Sequence, residues 1–190
     1  MNYMNDAIES ILVTQEEISS ITSSLAEKIT EDYKNSNKTL VVLGLLKGSL
    51  LFMSDLIQKI PLELEVELMK VSSYGKATAS TGVISIQFDI ARTDLSEVDI
   101  LVVEDIIDSG NTLSRICRHL SERGAASVKT CTLLDKPSRR EVDFVPDYCG
   151  ITIPDKFVVG YGLDYDEKYR NLPYIGILKP EVYGMPAENA

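Results

Sequence analysis

Three carboxylates crowd into Glu104-Asp105-Ile106-Ile107-Asp108, and the turn-forming run Ser109-Gly110-Asn111-Thr112 follows at once. Ser, Gly, Asn and Thr are residues that open helices, and a helix start leaves backbone N–H groups with no intrahelical acceptor. Such N–H groups make a seat for an anion, a phosphate above all. Two acids beside that seat would repel a phosphate unless a diol or a cation lay between them. Carboxylates accept hydrogen bonds from sugar hydroxyls, and their hard oxygens suit Mg2+. The set therefore asks for a phosphorylated sugar and a divalent metal.

The elements around it are those needed to hold such a corner. Ile100-Leu101-Val102-Val103 is a short apolar run and reads as a buried parallel strand, expected to stop before Glu104 so that the acids form a loop. Leu113, Ile116, Cys117 and Leu120 recur at helical spacing after the turn. Ligands of open α/β sheets bind at such a strand-to-helix corner. A second corner follows the strand at residues 39–43, where Gly44-Leu45-Leu46-Lys47-Gly48-Ser49 brings a cation ahead of a helix over 50–60. A third ends the strand at residues 127–134 and delivers Asp135-Lys136-Pro137.

The remaining chain reads as scaffold and covers. Thr14 and Glu17 match a capping box, and Ile18, Ile21, Leu25 and Ile29 mark one face of the helix it opens. Leu62, Leu64, Val66 and Leu68 alternate with glutamates, as in a strand with one wet face. Residues 71–81 are small and polar and have the composition of a lid, with residues 82–88 returning as a strand. Phe157-Val158-Val159 reads as a strand that ends at Gly160 and Gly162, with Asp164, Asp166 and Glu167 just beyond, and residues 174–178 form a last strand. Alternating strands and helices from residue 39 to 134 predict an α/β fold with a mostly parallel sheet flanked by helices. At 190 residues the chain is expected to be one domain, a core over about 10–137 and a small lobe over about 138–180.

Composition narrows the partners. A formal charge of −10 argues against nucleic acid or an anionic membrane surface as partner. No signal peptide or membrane-length apolar stretch is visible, which implies a cytoplasmic protein. Cys117, Cys131 and Cys149 show neither a zinc pattern nor a disulfide framework, so reduced buried thiols are expected. The only histidine, His119, reads as a solvated surface residue.

The run Val102-Val103-Glu104-Asp105-Ile106-Ile107-Asp108-Ser109-Gly110-Asn111-Thr112 resembles the phosphoribosyl-diphosphate (PRPP) signature of type I phosphoribosyltransferases, most closely the hypoxanthine-guanine branch. Residues 153–164 resemble the hood that covers the purine in that family. The resemblance implies transfer of the phosphoribosyl group of PRPP to hypoxanthine or guanine, giving IMP or GMP and pyrophosphate. It assigns Asp108, Ser109, Gly110, Asn111 and Thr112, with Ile106 and Ile107, to the 5′-phosphate and nucleotide. Glu104 and Asp105 go to the ribose hydroxyls and Mg2+, and Asp108 to the role of general base at the purine. Lys47, Gly48, Ser73, Tyr74 and Arg170 would face pyrophosphate, and Asp164 would help hold a second Mg2+. Lys136 would donate to the six-oxo group, Phe157 would stack on the ring, and Lys156, Val158 and Asp164 would line the purine site. Asn111 stands where some relatives carry lysine, so one positive charge near the phosphate is missing. Relatives in this family form homodimers and homotetramers. The alternative use of such a fold is a regulator that senses PRPP or nucleotide.

Overall fold

The computed structural model describes residues 5–73 and 84–184 of the chain. Tyr74 and most of the expected lid lie outside the described residues, and Ser73 is described by its backbone alone.

The chain starts with β1 (Ile8–Val13) and α1 (Gln15–Tyr33). The capping box forms as expected: Glu17 N–H donates to Thr14 Oγ1 at 3.2 Å, and Thr14 N–H donates to Glu17 Oε2 at 2.8 Å. The central sheet contains β2 (Thr39–Leu46), β3 (Glu65–Ser73), β4 (Ile84–Phe88), β5 (Val98–Ile107), β6 (Ser127–Asp135) and β7 (Tyr148–Thr152). Their spatial order is β4-β3-β2-β5-β6-β7, with every pairing parallel except the outer β3–β4 pair. Helix α2 (Leu50–Ile57) follows β2, and α3 (Asn111–Glu122) follows β5.

Both faces of β5 are covered, which is why its sequence reads as an unbroken apolar run. Leu101 and Val103 pack with α1 and α2 through Ile29, Phe52 and Leu56. Ile100 and Val102 pack with Leu113, Ile116 and Leu120 of α3. The strand does not stop where the sequence suggested. It continues through Glu104 and Asp105 to Ile107, because β6 runs beside it and pairs Glu104 with Thr132, Ile106 with Leu134 and Ile107 with Asp135. The acids therefore stand on a hydrogen-bonded ladder and not in a loop.

The division near residue 137 also differs from expectation. β7 extends the central sheet, so the core continues past that point. The small sheet has the order β1-β9-β8, with β8 (Val158–Val159) and β9 (Ile175–Leu178), so the chain's first strand is part of the lobe. β1 offers only Ile8 and Val13 as buried residues, too few for an alternation signal. Its partner lies at the far end of the chain, which local pattern cannot reveal.

His119 is not simply solvated. Its Nε2 lies 2.8 Å from Asp89 Oδ2, and Arg123 also pairs with Asp89 at 3.1 Å. Of the cysteines only Cys131 is fully buried, and all three are free thiols. Burial raises each thiol above its ordinary range, Cys117 to about 11, which suppresses the reactive thiolate.

Leu101 is fully enclosed and Leu50 is 47% exposed. Leu101→Ala is expected to cost about 2–5 kcal/mol of unfolding free energy, and Leu50→Ala no more than about 0.5 kcal/mol. Chemical denaturation of the two variants measures the difference.

Candidate active site

The carboxyl ends of β2, β5 and β6 meet at one rim of the sheet. At the first, the Leu46–Lys47 peptide bond is cis. Gly48 is required here by contact: a Cβ on it would lie 1.9 Å from Asp105 Oδ2. Gly162 of the lobe, at φ +101°, would place a Cβ 2.0 Å from the Gly48 carbonyl oxygen. Backbone thus meets backbone between the Lys47-Gly48 turn and the lobe, and no side chain fits between them.

The second end carries the acids. Asp105 is 8% exposed. Burial, then the charge of Asp105, pushes the Glu104 carboxyl well above its ordinary range. Two carboxylates held together in this way fit a divalent cation. Among the described residues no group of three or more His, Cys, Asp or Glu gathers to cage a metal. The fit is accordingly to an ion held by two carboxylates with its other oxygens from substrate, the usual habit of Mg2+.

Beyond the acids, Gly110 at φ +82° turns the chain into α3, and Asn111 N–H donates to Ser109 Oγ at 3.3 Å. The Asn111 side chain donates to Glu141 Oε2 at 2.6 Å, so Asn111 serves the helix start through its backbone. Glu104, Asp105, Ile106, Ile107, Asp108, Ser109, Gly110 and Thr112 all line one cleft of about 250 Å3. A larger cleft of about 470 Å3 opens at the opposite rim beside Tyr33, Lys38 and Leu64, where none of the motifs falls. Volume alone would choose the wrong cavity; the convergent polar groups favour the smaller one.

At the third end Lys136 is 7% exposed. Burial lowers its ammonium pKa, and the nearby charge of Asp108 acts in the opposite direction. Asp108 Oδ1 is buried and accepts no hydrogen bond among the described residues. A buried carboxylate oxygen without a donor is costly in a purely structural role. Arg140 explains how Asp108 is held: its guanidinium donates to the Asp108 carbonyl and pairs with Asp135. Glu141 N–H donates to the Ser109 carbonyl at 3.0 Å, bracing the same turn. Sequence reasoning missed Arg140, since nothing local marks its partners.

The lobe supplies the rest. Val158 is buried in β8, and Lys156 is half-buried just before it. Phe157 is 38% exposed, stacks on Tyr183 at 5.0 Å and meets Tyr165 edge-on at 5.6 Å. Asp164 is not gathered with Glu104 and Asp105; it pairs with Arg170 at 2.7 Å and accepts from Glu167 N–H at 2.9 Å. Arg170 also donates to the Gly162 carbonyl at 2.7 Å. Glu167 lies 2.9 Å from Lys47 Nζ and 3.3 Å from Arg170, contacts that hold its carboxyl below the usual range. Glu167 had appeared in the sequence only as one acid of a cluster.

Residues 9–166 match the family described as phosphoribosyl transferase domain. The hypoxanthine-guanine phosphoribosyltransferase of Lactococcus lactis is 50% identical over 180 residues, covering 95% of this chain and 96% of that protein. The protein of the same name from Staphylococcus aureus is 48% identical over 180 residues, covering 95% and 99%. A crystal structure of a Staphylococcus aureus hypoxanthine phosphoribosyltransferase superposes with a TM-score of 0.90 at 48% identity, covering 96% of this chain and 98% of that one. The Trypanosoma cruzi hypoxanthine phosphoribosyltransferase gives 0.88 at 39% identity, covering 93% and 94%.

The raised Glu104 carboxyl has a definite consequence for stability. Its neutral form is favoured in the fold, so its cost is absent below its ordinary pKa of 4.5 and grows as pH rises towards the folded value. In metal-free buffer Glu104→Gln is expected to melt above the parent at neutral pH, with the gap closing as pH falls to 4.5. Thermal melts across that range measure it, and a gap that widens towards acid contradicts the assignment.

Proposed function

The chain belongs to the phosphoribosyl transferase domain family, and on that premise we propose that it is a purine-salvage transferase. It moves the phosphoribosyl group of PRPP to hypoxanthine or guanine and yields IMP or GMP with pyrophosphate. The observation that carries this reading is the nearness of the charge of Asp108, whose buried Oδ1 has no hydrogen-bond partner among the described residues, to the buried Lys136, beside a helix-start anion seat. One group suits a ring proton, the other a ring oxygen, and the seat suits the sugar's phosphate.

In the reaction a purine nitrogen bonds to C1 of the ribose as the C1–oxygen bond to pyrophosphate breaks. The backbone N–H groups from Asp108 to Thr112 hold the 5′-phosphate. Glu104 and Asp105 accept from the ribose hydroxyls and would also hold Mg2+, which supplies charge neutralisation of the leaving group. Asp164 is the candidate for a second ion. Asp108 takes the proton of, or accepts a hydrogen bond from, the purine N7. Lys136 donates to the six-oxo group, which favours hypoxanthine and guanine over adenine, whose amino group would oppose a second donor. Lys47, Gly48 and Arg170 meet pyrophosphate; Ser73 and Tyr74 are proposed to close over it. Phe157 offers a ring face to the base, with Lys156 and the Val158 and Asp164 backbones along its edge.

We place the protein in the cytoplasm as a homodimer or homotetramer. Among the described residues no helix is long and apolar enough to cross a membrane. The regulatory alternative is not favoured: its macromolecular partner would need a basic surface, and the chain carries −10.

Two measurements test the reading. With PRPP and Mg2+, nucleotide should form from hypoxanthine and guanine and not from adenine; failure with both six-oxo purines sinks it. Asp108→Ala should keep the fold and lower kcat by about 10^2–10^4-fold, the usual contribution of general acid–base catalysis. Near-normal turnover in the folded variant removes Asp108 from the proton step.

A further inference from the structure

Lys47 and Arg170 come from opposite sides of the site, one from the β2–α2 turn and one from the lobe, yet one carboxylate serves both. Glu167 Oε2 lies 2.9 Å from Lys47 Nζ and 3.3 Å from an Arg170 nitrogen. The remaining guanidinium contacts fix Arg170 in place: Gly162 O at 2.7 Å and Asp164 Oδ1 at 2.7 Å. Among the described residues Lys47 has no other ion-pair partner.

The turn bearing Glu167 is shaped to present it. Asp166 and Glu167 take φ of +51° and +62°, a left-handed conformation that side-chain residues seldom adopt. Tyr165 and Lys168 close the turn through paired backbone hydrogen bonds of 3.2 and 3.0 Å, and Asp164 holds the Glu167 N–H. The pair itself is wet, with side chains 52% and 64% exposed. An exposed ion pair contributes little to stability and is readily exchanged for a stronger anion. Strained presentation of a weak, exposed contact is poorly explained as a brace.

We infer that Glu167 is a built-in competitor for pyrophosphate: its carboxylate occupies the same two cations that the leaving group must grip. The inference rests on the reading of Lys47 and Arg170 as that grip. Glu167 sets how tightly pyrophosphate is held and eases its departure by taking back both cations. Without it, pyrophosphate would meet Lys47 with no carboxylate partner among the described residues and Arg170 paired with Asp164 alone, and would leave more slowly.

The experiment compares the parent with Glu167→Gln, Glu167→Asp and Lys47→Ala at fixed Mg2+. It follows pyrophosphate inhibition against PRPP, KM for PRPP, KM for guanine and the melting temperature. Glu167→Gln should lower the pyrophosphate inhibition constant and the PRPP KM about three- to five-fold, in line with the small free energy of an exposed pair. KM for guanine should stay within about two-fold, and Glu167→Asp, which keeps the charge, should stay near the parent. A merely structural role would weaken every ligand together and lower the melting temperature. Unchanged or weaker pyrophosphate binding in folded Glu167→Gln overturns the inference. Lys47→Ala separates the two levels: if it leaves pyrophosphate inhibition unchanged, the grip itself is misassigned and the inference falls with it. If it weakens inhibition while Glu167→Gln changes nothing, the grip stands and only the role of Glu167 is lost.

Discussion

β5 lies between two parallel neighbours through its first half and keeps one of them to its end, and the candidate site is measured from where that hold ends. β2 pairs with it from Val98 to Val103, and β6 from Asp99 to Ile107. The longer ladder on the β6 side carries Glu104 and Asp105 past the buried core while keeping their backbone rigid. Catalytic geometry needs such support, because groups misplaced by an ångström lose much of their effect. Asp108 sits just beyond the last paired residue, where Arg140 takes over from the ladder by gripping its carbonyl.

The electrostatics of the site follow from what is left uncompensated. The chain is acidic overall, so no global field draws a polyanionic substrate inward. Attraction must be local, and the cations provided are few and individually placed. Lys136 is buried with the charge of Asp108 nearby, Arg170 is fixed by Asp164 and Gly162, and Lys47 reaches across to Glu167. The acids are equally differentiated. Burial and the charge of Asp105 raise the cost of ionising Glu104, and the pair suits a cation, whereas Asp108 keeps an oxygen free of donors among the described residues.

The lobe is bound to the core by contacts that side chains would prevent. Gly48 against Asp105 and Gly162 against Gly48 stack three chain segments within van der Waals reach. The lobe is also built from both ends of the chain, since β1 pairs with β9. Its position over the candidate site thus depends on residues separated by most of the sequence, while Phe157, Tyr165 and Tyr183 pack together within its C-terminal part.

Local features of the chain were legible without coordinates. The capping box at Thr14, the doubly buried β5, the Gly110 turn and the helix that follows all rest on short-range chemistry: propensity, periodicity and left-handed glycine. So did the order of acids and helix start over residues 104–112, from which the phosphate and metal preference is proposed. What the sequence could not decide is everything set by distant neighbours. The end of β5 depended on β6 as its partner, the membership of β1 on a strand 160 and more residues away, as Val13 pairs with Ile175 and Ile8 with Leu178. The roles of Arg140 and Glu167 depended on which backbone and which cations the fold brings beside them. A residue's type says what it can bind; only the packed chain decides what stands within 3 Å of it, and hydrogen bonds and ion pairs exist only at that range.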